Sequence, residues 1–174
     1  HQGRRQADEY AAKKVKAPVV QNIQLTEHFS LREMTKSQTA MRRGIDNTPT
    51  DEHMEALTSL CTNILEPIRK HFGVPVLVSS GYRSPELCRE IGSKSTSQHA
   101  KGQAADFELG GGVSNYDVAW WCRENLDFDQ LILEYYTPDD PKSGWVHISY
   151  RDDGKNRDQV LTYDGANYTI GLSK

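Results

Sequence analysis

The segment Gly102-Gln103-Ala104-Ala105-Asp106-Phe107-Glu108-Leu109 sets a carboxylate among small and apolar residues, a few positions after His99. Its alternation predicts a strand, with Ala104, Asp106 and Glu108 on one face and Ala105, Phe107 and Leu109 on the other. A charge in such surroundings is costly unless something compensates it. A metal ion can do so, and His99 offers a nitrogen donor just ahead of the strand. His147 offers another, from Trp145-Val146-His147-Ile148-Ser149-Tyr150. That stretch also reads as a strand, with Val146, Ile148 and Tyr150 on one face and His147 and Ser149 on the other. Two nitrogens and one carboxylate oxygen fill three corners of a zinc tetrahedron and leave the fourth to water, as in a catalytic site. Spacing alone leaves a second reading open, in which both histidines are ordinary hydrogen-bonded residues.

The remaining elements follow from caps and periodicity. Ser30 with Glu33 forms a capping box ahead of a short helix that Phe29 and Met34 anchor to the body. Thr35 to Asn47 reads as a surface loop. Thr48-Pro49-Thr50-Asp51 reads as a helix start, with Thr48 as the cap. Met54, Leu57, Leu60, Cys61, Ile64, Leu65, Ile68 and Phe72 then make one apolar stripe. Pro67 removes the partner of the Asn63 carbonyl and is expected to kink the last turns. Pro75 to Ser79 is a strand, Ser84 to Glu90 a short helix, and Ser114 caps a second main helix through Leu126. Strands follow at Gln130–Tyr135 and Gln159–Tyr163, and Asp164-Gly165 turns into a last one at 167–171. The sum is an α+β fold, an antiparallel sheet of four to five strands packed against two main helices.

A chain of 174 residues carries one core. Its net charge of -3 provides no basic field for nucleic acid, and no apolar run approaches the roughly 18 residues of a membrane span. Cys61 and Cys122 lie in apolar helical patterns and Cys88 has no close cysteine neighbour in the sequence, which favours free thiols and a reducing compartment. Residues 1–20 are polar and charged and lack the apolar core of a signal peptide. They read as an arm or linker ahead of a domain spanning 21–174, in a chain made in the cytoplasm.

The motif Ser97-x-His99-x-x-Gly102-x-Ala104-x-Asp106, followed by Trp145-x-His147, resembles the zinc D-Ala-D-Ala carboxypeptidase-like metallopeptidases (peptidase M15). These include D-Ala-D-Ala dipeptidases and endolysins that cut peptidoglycan stem peptides. The resemblance to the phage-type branch is closer still, through Leu25-x-x-x-Phe29-x-x-x-Glu33, Leu65-Glu66-Pro67-Ile68-Arg69 and Ser79-Ser80-Gly81-Tyr82-Arg83-Ser84. The resemblance implies a hedgehog/D-Ala-D-Ala carboxypeptidase-like fold and a zinc hydrolase of the bacterial cell wall, acting as carboxypeptidase or endopeptidase. It further implies that His99, Asp106 and His147 are the zinc ligands and that Arg83 lies near the substrate's carboxylate or carbonyl. Ser97 and Gln98 then contact peptide groups, and Tyr82, Trp145 and Tyr135 shape the groove.

One part of the family pattern is missing. Many members carry an acid three residues before the last histidine ligand, where this chain has Gly144. Glu134, in Gln130-Leu131-Ile132-Leu133-Glu134, is the preferred general base, with Asp140 and Glu108 as alternatives. The missing acid and the polar arm also admit a competing reading, a phage virion or wall-binding protein that keeps the fold with little hydrolysis. In that setting residues 1–20 would meet a virion partner.

Overall fold

In the computed structural model of the chain, which describes residues 21–173, the stripe from Leu57 to Ile68 is buried as its spacing requires. The expected arm, residues 1–20, lies outside the described residues. The stripe belongs to a continuous helical rod of three parts. These are α3 (Asp51–Leu60), a π-helical turn over Cys61–Leu65, and α4 (Glu66–Phe72). The π turn is the local answer to Pro67. With no N–H at 67 to bond Asn63, the ladder slips by one, and the Glu66 N–H reaches back to the Cys61 carbonyl. The cap differs from expectation: Thr50, not Thr48, accepts the His53 N–H and starts α3.

Six strands form one sheet: β1 (Val76–Ser80), β2 (Ala104–Leu109), β3 (Gln130–Glu134), β4 (Trp145–Ser149), β5 (Gln159–Tyr163) and β6 (Tyr168–Ile170). Their spatial order is β1-β2-β4-β3-β5-β6. The antiparallel sheet of four to five strands is thereby corrected to a mixed sheet of six. After β4 the chain crosses over to the free edge of β3, so β5 runs parallel to β3 while the other pairs are antiparallel. The Asp129 carboxylate fastens that crossover by accepting from the Arg157 guanidinium at 3.0 and 2.8 Å.

The two faces of the sheet have different tasks. Val76, Val78, Ala105, Phe107, Leu131, Leu133, Val146 and Ile148 point toward the helical rod and α6 (Asn115–Asn125), whose Val118, Ala119 and Cys122 complete the core. The opposite face carries Asp106, His147 and Glu134, as their alternation dictates. Cys61, Cys88 and Cys122 are free and buried.

The expected surface loop between Thr35 and Asn47 is a second correction. After α1 (Leu31–Thr35), Ser37 caps a helix α2 (Gln38–Arg43), closed by Gly44, and Ala40, Ile45 and Asn47 are buried. The Asn47 amide donates to the carbonyls of Thr35 (2.7 Å) and Tyr82 (3.0 Å), and its oxygen accepts from the Ser84 N–H (2.7 Å). It thereby ties this layer to the turn that leads into α5 (Pro85–Glu90). Asn47→Ala strands these backbone groups and is expected to cost about 3 kcal/mol in denaturant unfolding.

Candidate metal centre

Cross-strand register brings the first two donors together. Asp106 and His147 are direct partners in β2 and β4, on the face away from the helices. His99 comes from outside the sheet, on a single 3-10 turn (Gln98–Lys101) that ends at Gly102 in the left-handed conformation. That turn folds His99 back over β2. Ser97 supplies its cap by accepting the His99 N–H at 3.2 Å. Nitrogen and oxygen donors of His99, Asp106 and His147 all lie within 4.8 Å of one another.

The proton inventory of the cluster calls for a cation. His99 Nδ1 donates to the Gly81 carbonyl at 2.7 Å, which leaves the lone pair of a neutral ring on Nε2. Burial pushes the His99 pKa down and so favours that neutral ring. Its Nε2 faces Asp106 Oδ1 at 3.4 Å, and His147 Nδ1 approaches the same oxygen at 2.8 Å. Burial alone would raise the Asp106 carboxyl, but the His147 and His99 contacts outweigh it and hold the group below the ordinary carboxylate range. An anionic oxygen therefore confronts a buried lone pair. With bonds of about 2.0–2.1 Å, tetrahedral zinc spaces its ligands about 3.3–3.4 Å apart, close to the His99–Asp106 separation. The donor set fits zinc, and the bond from His99 to Gly81 fixes its tautomer as ligating histidines need.

Arg83 is built into the same cluster. Its Nη2 donates to Asp106 Oδ2 at 3.0 Å, its Nε to Ser80 Oγ at 2.7 Å, and its own N–H to the His99 carbonyl at 3.1 Å. A bulge between Val78 and Ser80 shifts register so that Ser80, rather than Ser79, pairs with Asp106. The turn that follows packs tightly, since a Cβ on Gly81 would overlap the Met34 carbonyl oxygen. Ser80 and Asn47 are thus parts of the site that sequence reading passed over. Ser80 belongs to the Ser79–Ser84 motif without any mark of this role, and Asn47 carries no local signal.

Glu134 falls on the same face, diagonal to His147 across β3 and β4. It is half-buried, and its carboxylate takes part in no hydrogen bond among the described residues. Burial raises its pKa, the His147 charge lowers it and Asp106 raises it, with a net upward shift. The alternatives are differently placed: Asp140 is exposed in the β3–β4 turn, and exposed Glu108 accepts from Asn115 at 3.0 Å.

Gly144 has a backbone reason to lack a side chain. Its φ is 64°, and a Cβ there would overlap the Glu134 carbonyl oxygen. Gly144→Asp is expected to lower stability by more than about 2 kcal/mol and not to restore turnover to Glu134→Gln, as read by thermal melts and peptide assays.

Of the other candidates, Tyr82 is buried, with its hydroxyl 3.2 Å from His53 Nδ1. Gln98 bonds Gln103 at 3.3 Å. Trp145 lies directly across from Glu134 and stacks on Tyr135 with centroids 4.9 Å apart.

No curated protein matches the chain. The sequence model of the family described as Peptidase M15 matches residues 27–149, from just ahead of α1 to the end of β4. That span holds all three donors, Arg83 and Glu134. With most of its length inside that match and a donor set that suits the metal, the chain belongs to the Peptidase M15 family and is a zinc metallopeptidase.

Proposed function

We propose that this zinc peptidase hydrolyses peptide bonds in peptidoglycan stem peptides, as a D-Ala-D-Ala carboxypeptidase or an endopeptidase of the phage-type, endolysin-like branch. The observation that carries this reading is the meeting of His99, Asp106 and His147 beside Glu134 on the open face of the sheet. When bound to His99, Asp106 and His147, zinc supplies Lewis acidity, which polarises a carbonyl and makes water a stronger acid. Glu134, on the strand beside His147 and on the same face of the sheet, takes a proton from the attacking water and returns it to the leaving amine. Arg83 has an Nη1 with no protein hydrogen bond among the described residues and donates it to the scissile carbonyl or to a stem-peptide carboxylate. Asp106 and Ser80 hold that guanidinium in place.

Trp145 and Tyr135 are the substrate contacts among the aromatic candidates, while Ser97, Gln98 and Tyr82 position the His99 turn and its surroundings. The Glu134 carboxylate beside the cluster favours turnover over a wall-binding virion component without it. The peptidase domain spans 21–174, residues 1–20 are left to a virion partner, and the chain acts on the cell wall after synthesis in the cytoplasm. No helix among the described residues is long and apolar enough to cross a membrane.

Digestion of purified sacculi followed by mass spectrometry of the muropeptides tests the reading. Loss of a terminal D-alanine, or new stem fragments, abolished by chelation, is the expected outcome. Unchanged muropeptides with zinc-loaded protein contradict it.

A further inference from the structure

We propose that the aromatic row Trp145, Tyr135, Tyr163 and Tyr168 is a subsite for a sugar ring of the glycan strand, an inference that rests on the peptidoglycan reading above. The row starts beside the catalytic face. Trp145 pairs with Glu134, and the parallel register Leu133↔Thr162 sets Tyr163 next to Glu134 on the other side. Tyr163 in turn pairs with Tyr168 on β6. The rings touch in sequence: Tyr135 stacks on Trp145 (4.9 Å), meets Tyr163 edge-on (5.2 Å), and Tyr163 stacks on Tyr168 (4.4 Å).

Two features set this row apart from an ordinary sheet surface. First, the polarity of the last hairpin is inverted. Thr162 is buried on the core side, while Tyr168 and Ile170 point outward, 59% and 91% exposed. A one-sided sheet normally turns polar residues to water, so outward aromatics mark a binding surface. Second, Tyr135 is strained. Alternation would send it to the face opposite Glu134, yet a φ of 51° turns its ring onto Trp145 with 52% exposure. An aromatic residue in the left-handed region is unfavourable and persists only where its surroundings hold it.

The occupant follows from the chemistry of the proposed substrate. Stem peptides are made of small and charged residues, which leave a four-ring surface largely unused. The broad apolar faces of peptidoglycan are the C–H faces of its pyranose rings, which lie flat on aromatic rings, while their hydroxyl and acetamido groups reach the tyrosine hydroxyls. Reach agrees. From β4, which carries His147, to β6 is three strand spacings, about 14 Å, or about four extended peptide residues. A stem peptide can therefore lie across the centre while its glycan end rests on the row. Tyr163 and Tyr168 lie beyond the family match.

The test is an NMR titration of the chelated protein with an N-acetylglucosamine tetramer, and separately with a free stem pentapeptide. Saturable shifts in the ring resonances of Tyr135, Tyr163 and Tyr168 with the tetramer are expected. Affinity should fall roughly tenfold in Tyr168→Ala, the order of one lost stacking contact, and survive in Tyr168→Phe. Absence of tetramer binding to the unmodified protein overturns the proposal, as does self-association of the chain through these rings or shifts with the free peptide alone. Tetramer binding without muropeptide turnover would sustain the subsite and remove the peptidase reading. Turnover without tetramer binding would do the reverse.

Discussion

Glu134→Gln is expected to lower kcat on stem peptides by about 10²–10⁴-fold while leaving zinc content and melting temperature unchanged. The loss is that of a base: glutamine keeps the shape but cannot hold the proton between attack on the carbonyl and departure of the amine. The fold should not suffer. No hydrogen bond among the described residues depends on the Glu134 carboxylate, and burial disfavours its charged form. Neutralising it thus removes a desolvated charge rather than a contact. Steady-state kinetics beside metal analysis of both proteins reads the effect. Full turnover in Glu134→Gln would transfer the base to another residue, whereas loss of zinc would make Glu134 a support of the metal instead.

The second large effect is on stability. Zinc that binds only the folded chain stabilises it by about 4 kcal/mol at a thousandfold excess over its Kd. For a domain of this size that corresponds to a melting temperature roughly 10 °C above that of the chelated protein. Asp106→Ala should abolish the zinc-dependent rise and the turnover together. It also leaves Arg83, largely shielded from water, without its carboxylate, so the variant should unfold about 3 kcal/mol more easily than chelated wild type. Calorimetry of both proteins with and without zinc separates the two contributions. A zinc-dependent rise that survives in Asp106→Ala would move the metal elsewhere.

Much of the centre was legible because its parts obey local rules. Alternation alone put Asp106 and His147 on one face each of two strands, and those faces turn out to be the same one. The apolar stripe of the rod was readable from its spacing, and Pro67 announced a defect in it, although the form taken was a π turn rather than a bend in an otherwise regular ladder. What escaped notice is set by contacts distant in sequence. Asn47 looks like any polar loop residue until Thr35, Tyr82 and Ser84 surround it. The parallel pairing of β5 with β3 depends on a crossover whose direction no turn motif declares. The left-handed backbone at Tyr135 sets its ring against Trp145 and Tyr163, contacts that no local pattern declares. Gly144 shows both sides: its departure from the family pattern was visible, while its cause, the Glu134 carbonyl against it, belongs to the folded hairpin.

The central claim is that His99, Asp106 and His147 hold one catalytic zinc. Zinc titration into the chelated protein, with bound metal and muropeptide turnover measured in the same samples, tests it most directly. One zinc per chain, with turnover rising in proportion to bound metal and neither seen in Asp106→Ala, is the predicted result. Turnover in the metal-free chain, or stoichiometric zinc in Asp106→Ala, would contradict it.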